Sequence, residues 1–144
     1  MIERMIELLR SKDLCVLATV SGGVPHCSLM AYAPDETGRS LYMTTRKDTT
    51  KFENLRENPR VSLLVDTRDE PAGEAGNPTR ALTVSGRYEP LGSEAEKEQA
   101  RAALRKRHPR LAPILEDPEA AILRIRIESF LLLDGPVNAH FEAL

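Results

Sequence analysis

The run Leu14-Cys15-Val16-Leu17-Ala18-Thr19-Val20, the turn Ser21-Gly22-Gly23 and the return run Val24 to Ala33 constrain the fold of this chain most strongly. A short apolar run bounded by turn residues reads as a buried strand. Pro25 stands near the start of the second strand, where a missing N–H donor is tolerated. Pro34-Asp35-Glu36-Thr37-Gly38 turns the chain again, and Leu41 to Thr45 reads as a third strand. Consecutive strands on turns this tight form an antiparallel meander.

The remaining pattern continues in the same style. Ile2, Met5, Ile6 and Leu9 recur at helical spacing and predict a short amphipathic helix. Thr49 to Asn58, with Phe52 and Leu55 on one face, predicts a second helix that stops before Pro59. Val61, Leu63 and Val65 alternate with Ser62, Leu64 and Asp66 in a fourth strand. Residues 68–78 are rich in Glu, Gly, Ala and Pro and predict a mobile loop. Leu82, Val84 and Gly86 mark a fifth strand, and the capping box Ser93-Glu94-Ala95-Glu96 opens a helix to about Lys106. Leu123, Ile125 and Ile127 alternate with Arg124, Arg126 and Glu128, so these arginines read as a solvated face paired with Glu128. Binding of acidic ligand groups across a dimer is their alternative. The same strand turns uniformly apolar through Phe130-Leu131-Leu132-Leu133, which calls for cover on both faces and points to a second copy of the chain. Six strands with few helices predict a mainly β fold: one domain over 1–144, a small barrel with flanking helices. Such a barrel is filled by its own side chains, so a ligand would sit outside it or between subunits.

Bulk numbers exclude several function classes. A formal net charge of −2 gives no global attraction for nucleic acid. The basic stretch Arg101, Arg105, Lys106, Arg107 and Arg110 lacks interleaved aromatics. No apolar run reaches the roughly 18 residues of a membrane span, and the acidic amphipathic start does not read as a targeting segment. Cys15 and Cys27 lack CxxC spacing and suit reduced thiols in a cytoplasm. His26, His108 and His140 are scattered without metal-ligand spacing, so no metal site is expected. His108, before Pro109, reads as a helix C-terminal cap.

One segment carries chemistry. Thr44, Thr45, Arg46, Lys47, Asp48, Thr49, Thr50 and Lys51 fall where a strand gives way to a helix. A helix start offers unpaired N–H groups and the positive end of its dipole. Three hydroxyls (Thr45, Thr49, Thr50) and the Lys51 cation there make a phosphate cradle. The plainer alternative is that Asp48 or Thr49 caps a helix that Lys51 merely decorates.

Leu17-Ala18-Thr19-Val20, Gly23-Val24-Pro25, Tyr42-Met43-Thr44-Thr45, Thr50-Lys51 and Asn54-Leu55-Arg56-Glu57-Asn58-Pro59-Arg60-Val61 occur in this order and spacing, followed by Thr83-Val84-Ser85-Gly86-Arg87-Tyr88-Glu89. The set resembles the pyridoxamine 5′-phosphate oxidase-like superfamily, the FMN-binding split barrels, over about residues 10 to 135. The resemblance implies a six-stranded antiparallel split barrel, and a homodimer with FMN in the grooves between subunits. It implies an oxidoreductase acting on a small-molecule substrate, or a module that holds flavin without turnover. It assigns the phosphate segment to Thr45, Thr49, Thr50 and Lys51, with Arg46 in place of the family's arginine. It assigns the flavin-lining strand to His26, Cys27, Ser28, Leu29 and Met30. Ala81 stands near the position where the family often has a glutamine. The oxidase's C-terminal Arg/His and Trp pattern for pyridoxal substrates has no counterpart here, so vitamin B6 oxidation is not expected. A second branch, the haem-utilisation proteins, is similar over Arg80 to Arg87, His108-Pro109 and Asp134 to His140. That branch implies haem as the alternative cofactor, with His140 as the iron ligand.

Overall fold

The computed structural model describes residues 1–71 and 78–144. Residues 72–77 of the expected mobile loop lie outside the described residues. Helix α1 (Ile2–Ser11) precedes the hairpin β1 (Leu14–Ser21) and β2 (Val24–Ala31). Gly22 and Gly23 close that hairpin with φ of 57° and 76°. Two consecutive positive φ angles match the right-handed twist of the flanking strands, and glycine adopts them without a Cβ penalty.

The chain then adds β3 (Ala33–Pro34), β4 (Ser40–Arg46), α2 (Thr50–Glu57), β5 (Arg60–Asp66) and β6 (Arg80–Glu89). Next come α3 (Glu94–Arg107), a 3-10 turn (Pro109–Leu111), α4 (Ala112–Leu115), β7 (Ala120–Asp134) and β8 (Asn138–Ala143). All strands belong to one curled antiparallel sheet of order β2-β1-β5-β6-β7-β4-β3, with β8 beside β7. The architecture is the expected mainly β split barrel with flanking helices.

The first three strands are not a meander, because β4 pairs along its length with β7 and pairs with the preceding strand only at Ala33 and Pro34. The second strand is divided at Tyr32, whose N–H donates to Asp13 O at 3.2 Å and whose hydroxyl donates to Leu9 O at 2.5 Å. These bonds turn the chain from β1 toward β4, which brings the two ends of the sheet together. Among the described residues the strand count rises from six to eight, because β3 separates from β2 and the C-terminal segment forms β8.

Strand β7 organises the sheet. Residues 124–134 pair with β6 on one side; on the other, residues 120–126 pair with β4 and residues 129–134 with β8. A bulge opposite Ser85/Gly86 leaves Glu128 unpaired between Ile127 and Ser129. A Cβ on Gly86 would stand 2.6 Å from Arg126 O, so only glycine allows the strands to approach there. The bulge also removes Glu128 from the register of the arginines. Arg124 pairs instead with Glu96 at 3.0 Å and Glu89 at 3.6 Å, which corrects the expected pairing.

The core fills the curl of the sheet. Leu17, Leu63, Leu82, Val84, Leu123, Ile125, Phe130 and Leu132 pack with Met5, Leu8 and Leu9 of α1. A smaller cluster seats α3, through Ala100 and Leu104, on Tyr42, Ala33 and Leu115. Ser93 caps α3 as expected, accepting from Glu96 N at 3.1 Å. His108 ends that helix, but its ring Nε2 bonds Tyr32 O at 2.7 Å rather than a helix carbonyl.

Candidate functional site

The site begins at the junction of β4 and α2. Thr49 is the N-cap of α2: its Oγ1 accepts from Phe52 N at 3.3 Å and donates to Arg46 O at 2.9 Å. The leading N–H groups of the helix, on Thr50 and Lys51, have no intrahelical partner. Lys51 Nζ folds back to donate to Thr45 Oγ1 at 3.1 Å, and Thr45 Oγ1 lies 3.4 Å from Thr49 Oγ1. Thr49 is thus the cap that the plainer alternative named, and the same hydroxyl faces Thr45.

The helix is held in place by a buried pair. Asn54 Nδ2 donates to Thr19 Oγ1 at 3.1 Å, with both residues buried. This bond ties the middle of α2 to β1 and sets the direction from which Lys51, one turn earlier, reaches Thr45.

Leu29, Met30 and Ala31 of β2, Thr44, Thr45 and Arg46 of β4, and Thr49 and Lys51 line an open cleft of about 310 Å³. Leu111 and Ile114, from the 3-10 turn and α4, complete its wall. Seven residues named from the sequence thus converge: Leu29, Met30, Thr44, Thr45, Arg46, Thr49 and Lys51. Thr50 is exposed at the helix start outside the lining, and His26, Cys27 and Ser28 lie farther along β2. Leu111 and Ile114 were missed; their signal is the apolar pair flanking Pro113, which reads as a connector until the fold brings it over β4.

The charges in the cleft differ in kind. Arg46 is exposed and bound to Asp117 at 2.8 Å and Asp48 at 3.2 Å. Its hydrogen bond to Asp48, then the Asp48 and Asp117 charges, hold its pKa above the ordinary arginine value. Lys51 is half-buried and, among the described residues, has no carboxylate partner. An ammonium has three donors, and one of them is used by Thr45. The cleft therefore presents one uncompensated cation, two neighbouring hydroxyls and a helix N-terminus above an apolar strand. That donor set suits a phosphate joined to a flat apolar body.

The two thiols are unequal. Burial pushes the Cys15 thiol up to about 12, so it is inert, whereas Cys27 is exposed on the outer face of β2. No group of three His, Cys, Asp or Glu side chains among the described residues is arranged to hold a metal ion. Among the described residues no helix is long and apolar enough to cross a membrane.

Residues 1–134 match the family model described as pyridoxamine 5′-phosphate oxidase. The chain belongs to this family. The chain is 33% identical over 73 residues to general stress protein 26 of Bacillus subtilis (strain 168). That match covers 51% of each protein, so the chain spans about half the length of its curated relative. A FAD-binding protein from Mesorhizobium loti superposes with a TM-score of 0.74 at 25% identity, over 92% of this chain and 91% of that one. A haem-binding protein from Mycobacterium smegmatis superposes with a TM-score of 0.85 at 18% identity, over 98% of this chain and 57% of that one. At that identity the likeness speaks for the fold alone. Solved proteins of this fold thus include a FAD-binding and a haem-binding protein.

Proposed function

We propose that this chain is a homodimeric flavoprotein that binds FMN at the β4–α2 cleft and serves an oxidoreductase reaction on a small substrate. The observation that carries the reading is Lys51, an unpaired cation beside Thr45 and Thr49 at a helix N-terminus. Lys51 and the α2 N–H groups bind the phosphate, Thr45 and Thr49 orient it, and Leu29 excludes water from one side of the ring. When bound, the flavin supplies the electron-transfer chemistry.

The dimer reading rests on the outer face of the sheet. Antiparallel register places Leu29, Val16, Leu64, Thr83, Leu131 and Phe141 in one row across β2, β1, β5, β6, β7 and β8. Leu29 is 71% exposed, Phe141 64% and Leu131 37%. Six strands spaced about 4.8 Å apart make this an apolar stripe about 24 Å long, which a second copy would cover. Leu29 belongs to both the stripe and the cleft, so a partner on the stripe would also wall the flavin site.

Lys51→Ala tests the site. It removes one charge-assisted phosphate contact, worth about 1.5–3 kcal/mol, so FMN affinity should fall about tenfold to a hundredfold. Affinity for riboflavin, which lacks the phosphate, should stay unchanged. An unchanged dissociation constant for FMN would refute the role of Lys51. The absorption spectrum of the loaded protein identifies the cofactor: paired flavin bands near about 370 and 450 nm support the reading, and one intense band near about 400 nm marks haem instead.

A further inference from the structure

The outer face of the sheet carries two more rows below the apolar stripe. Cys27, Ala18, Ser62, Ser85, Ser129 and Ala143 form one, and Arg60, Arg87 and Arg126 form the next, with Ser40 of β4 beyond Arg126. Three arginines thus stand side by side in register on adjacent strands, with three serines one row away. Like charges directly opposite on neighbouring strands repel, at a strand spacing of about 4.8 Å.

The surroundings do little to neutralise this row. Among the described residues Arg60 and Arg87 have no ion-pair partner. Arg126 reaches only Glu89, at 4.0 Å, and Glu89 is shared with Arg124 at 3.6 Å. Glu128 is the other carboxylate of this stretch of β7, and the bulge leaves it without a paired residue on β6. The row lies away from the cleft: Arg126 pairs with Ser40 and Ala121 with Thr45, five residues apart on β4, or about 16 Å along the strand.

We infer that Arg60, Arg87 and Arg126, with Ser62, Ser85 and Ser129, form an anion-binding site for a phosphorylated small molecule. The planar guanidinium fork matches phosphate oxygens two at a time. Adjacent arginines of the row bracket one phosphate group, and the third is placed for a second negative group of the same ligand. A bound anion removes the repulsion that the register builds in, and the serine hydroxyls donate to its remaining oxygens.

Inorganic pyrophosphate is the probe, titrated into the full chain by calorimetry at fixed ionic strength. The expected result is a saturable site that is weakened at least tenfold by Arg87→Gln and retained by Lys51→Ala. Without ligand at low salt, Arg87→Gln should melt no lower than wild type, since it removes a like charge. Arg60→Gln provides the same test at the end of the row. Absence of saturable binding, equal binding to wild type and Arg87→Gln, or loss of binding in Lys51→Ala alone would each overturn the proposal. Citrate titrated in the same way separates phosphate from carboxylate ligands; tighter binding of citrate than of pyrophosphate would overturn the phosphate assignment. Because the flavin cradle is tested by Lys51→Ala and this row by Arg87→Gln, the two readings fail separately.

Discussion

Adjacent residues of one strand should give opposite outcomes when charged, because successive side chains face opposite ways. Phe130 and Leu132 are 0% and 1% exposed, whereas Leu131 and Leu133 are 37% and 43% exposed. Replacing both Phe130 and Leu132 by Asp removes about 1.5–3 kcal/mol of apolar burial at each site. It also buries two carboxylates without partners, at several kcal/mol each. The sum, about 10 kcal/mol, consumes the whole stability of an ordinary domain, about 5–15 kcal/mol, so this variant should not fold. Replacing both Leu131 and Leu133 by Asp perturbs the isolated protomer far less, since surface changes are mostly within about 0.5 kcal/mol each. In a two-fold dimer the same pair introduces four carboxylates into one interface. At about 1–2 kcal/mol apiece that weakens the dimer by about 4–8 kcal/mol, a thousandfold or more in Kd. Light scattering at micromolar concentration, read beside far-UV circular dichroism, separates the cases. The expected results are a wild-type dimer, a folded monomer for Leu131→Asp with Leu133→Asp, and an unfolded chain for Phe130→Asp with Leu132→Asp. A wild type that is a stable monomer at micromolar concentration would refute the reasoning, as would a dimer that survives the outer pair of charges.

Two further outcomes are expected. His140→Ala should leave FMN affinity within about twofold, as surface substitutions usually do; His140 pairs with Leu132 and Thr45 with Ala121, eleven residues apart on β7, or about 36 Å along the strand. A haem band that shifts or vanishes in His140→Ala would instead establish that histidine as an iron ligand. Asn54→Ala leaves the buried Thr19 hydroxyl unpaired, so it should destabilise the protein by about 1–3 kcal/mol. At temperatures where the variant is folded it should weaken FMN more than riboflavin, and equal weakening of both would show that Asn54 does not position the cradle.

The local devices were legible in the residues themselves. The Ser21-Gly22-Gly23 hairpin, the Ser93 cap, the stop at Pro59 and the helical period of α1 each depend on contacts a few residues long, and each appears where the pattern put it. The meeting of Thr45, Thr49 and Lys51 was legible for the same reason, since they lie close together in the chain at residues 45–51. Long-range pairing was not. Nothing local tells β4 to choose β7 over β2, because that choice depends on the sheet curling until its ends meet. β8 was invisible because Asn138 to Ala143 has weak strand character and is ordered only by the long edge of β7. Leu111 and Ile114 became cleft walls only when α4 packed over β4. Register alone decided that Arg60, Arg87 and Arg126 share a row, for residues so distant in sequence meet only when each strand has found its neighbour. The alternation of Phe130 to Leu133 was fixed by the period of a strand, but which pair faces the core was settled by α1 and the facing strands that cover one side and leave the other bare.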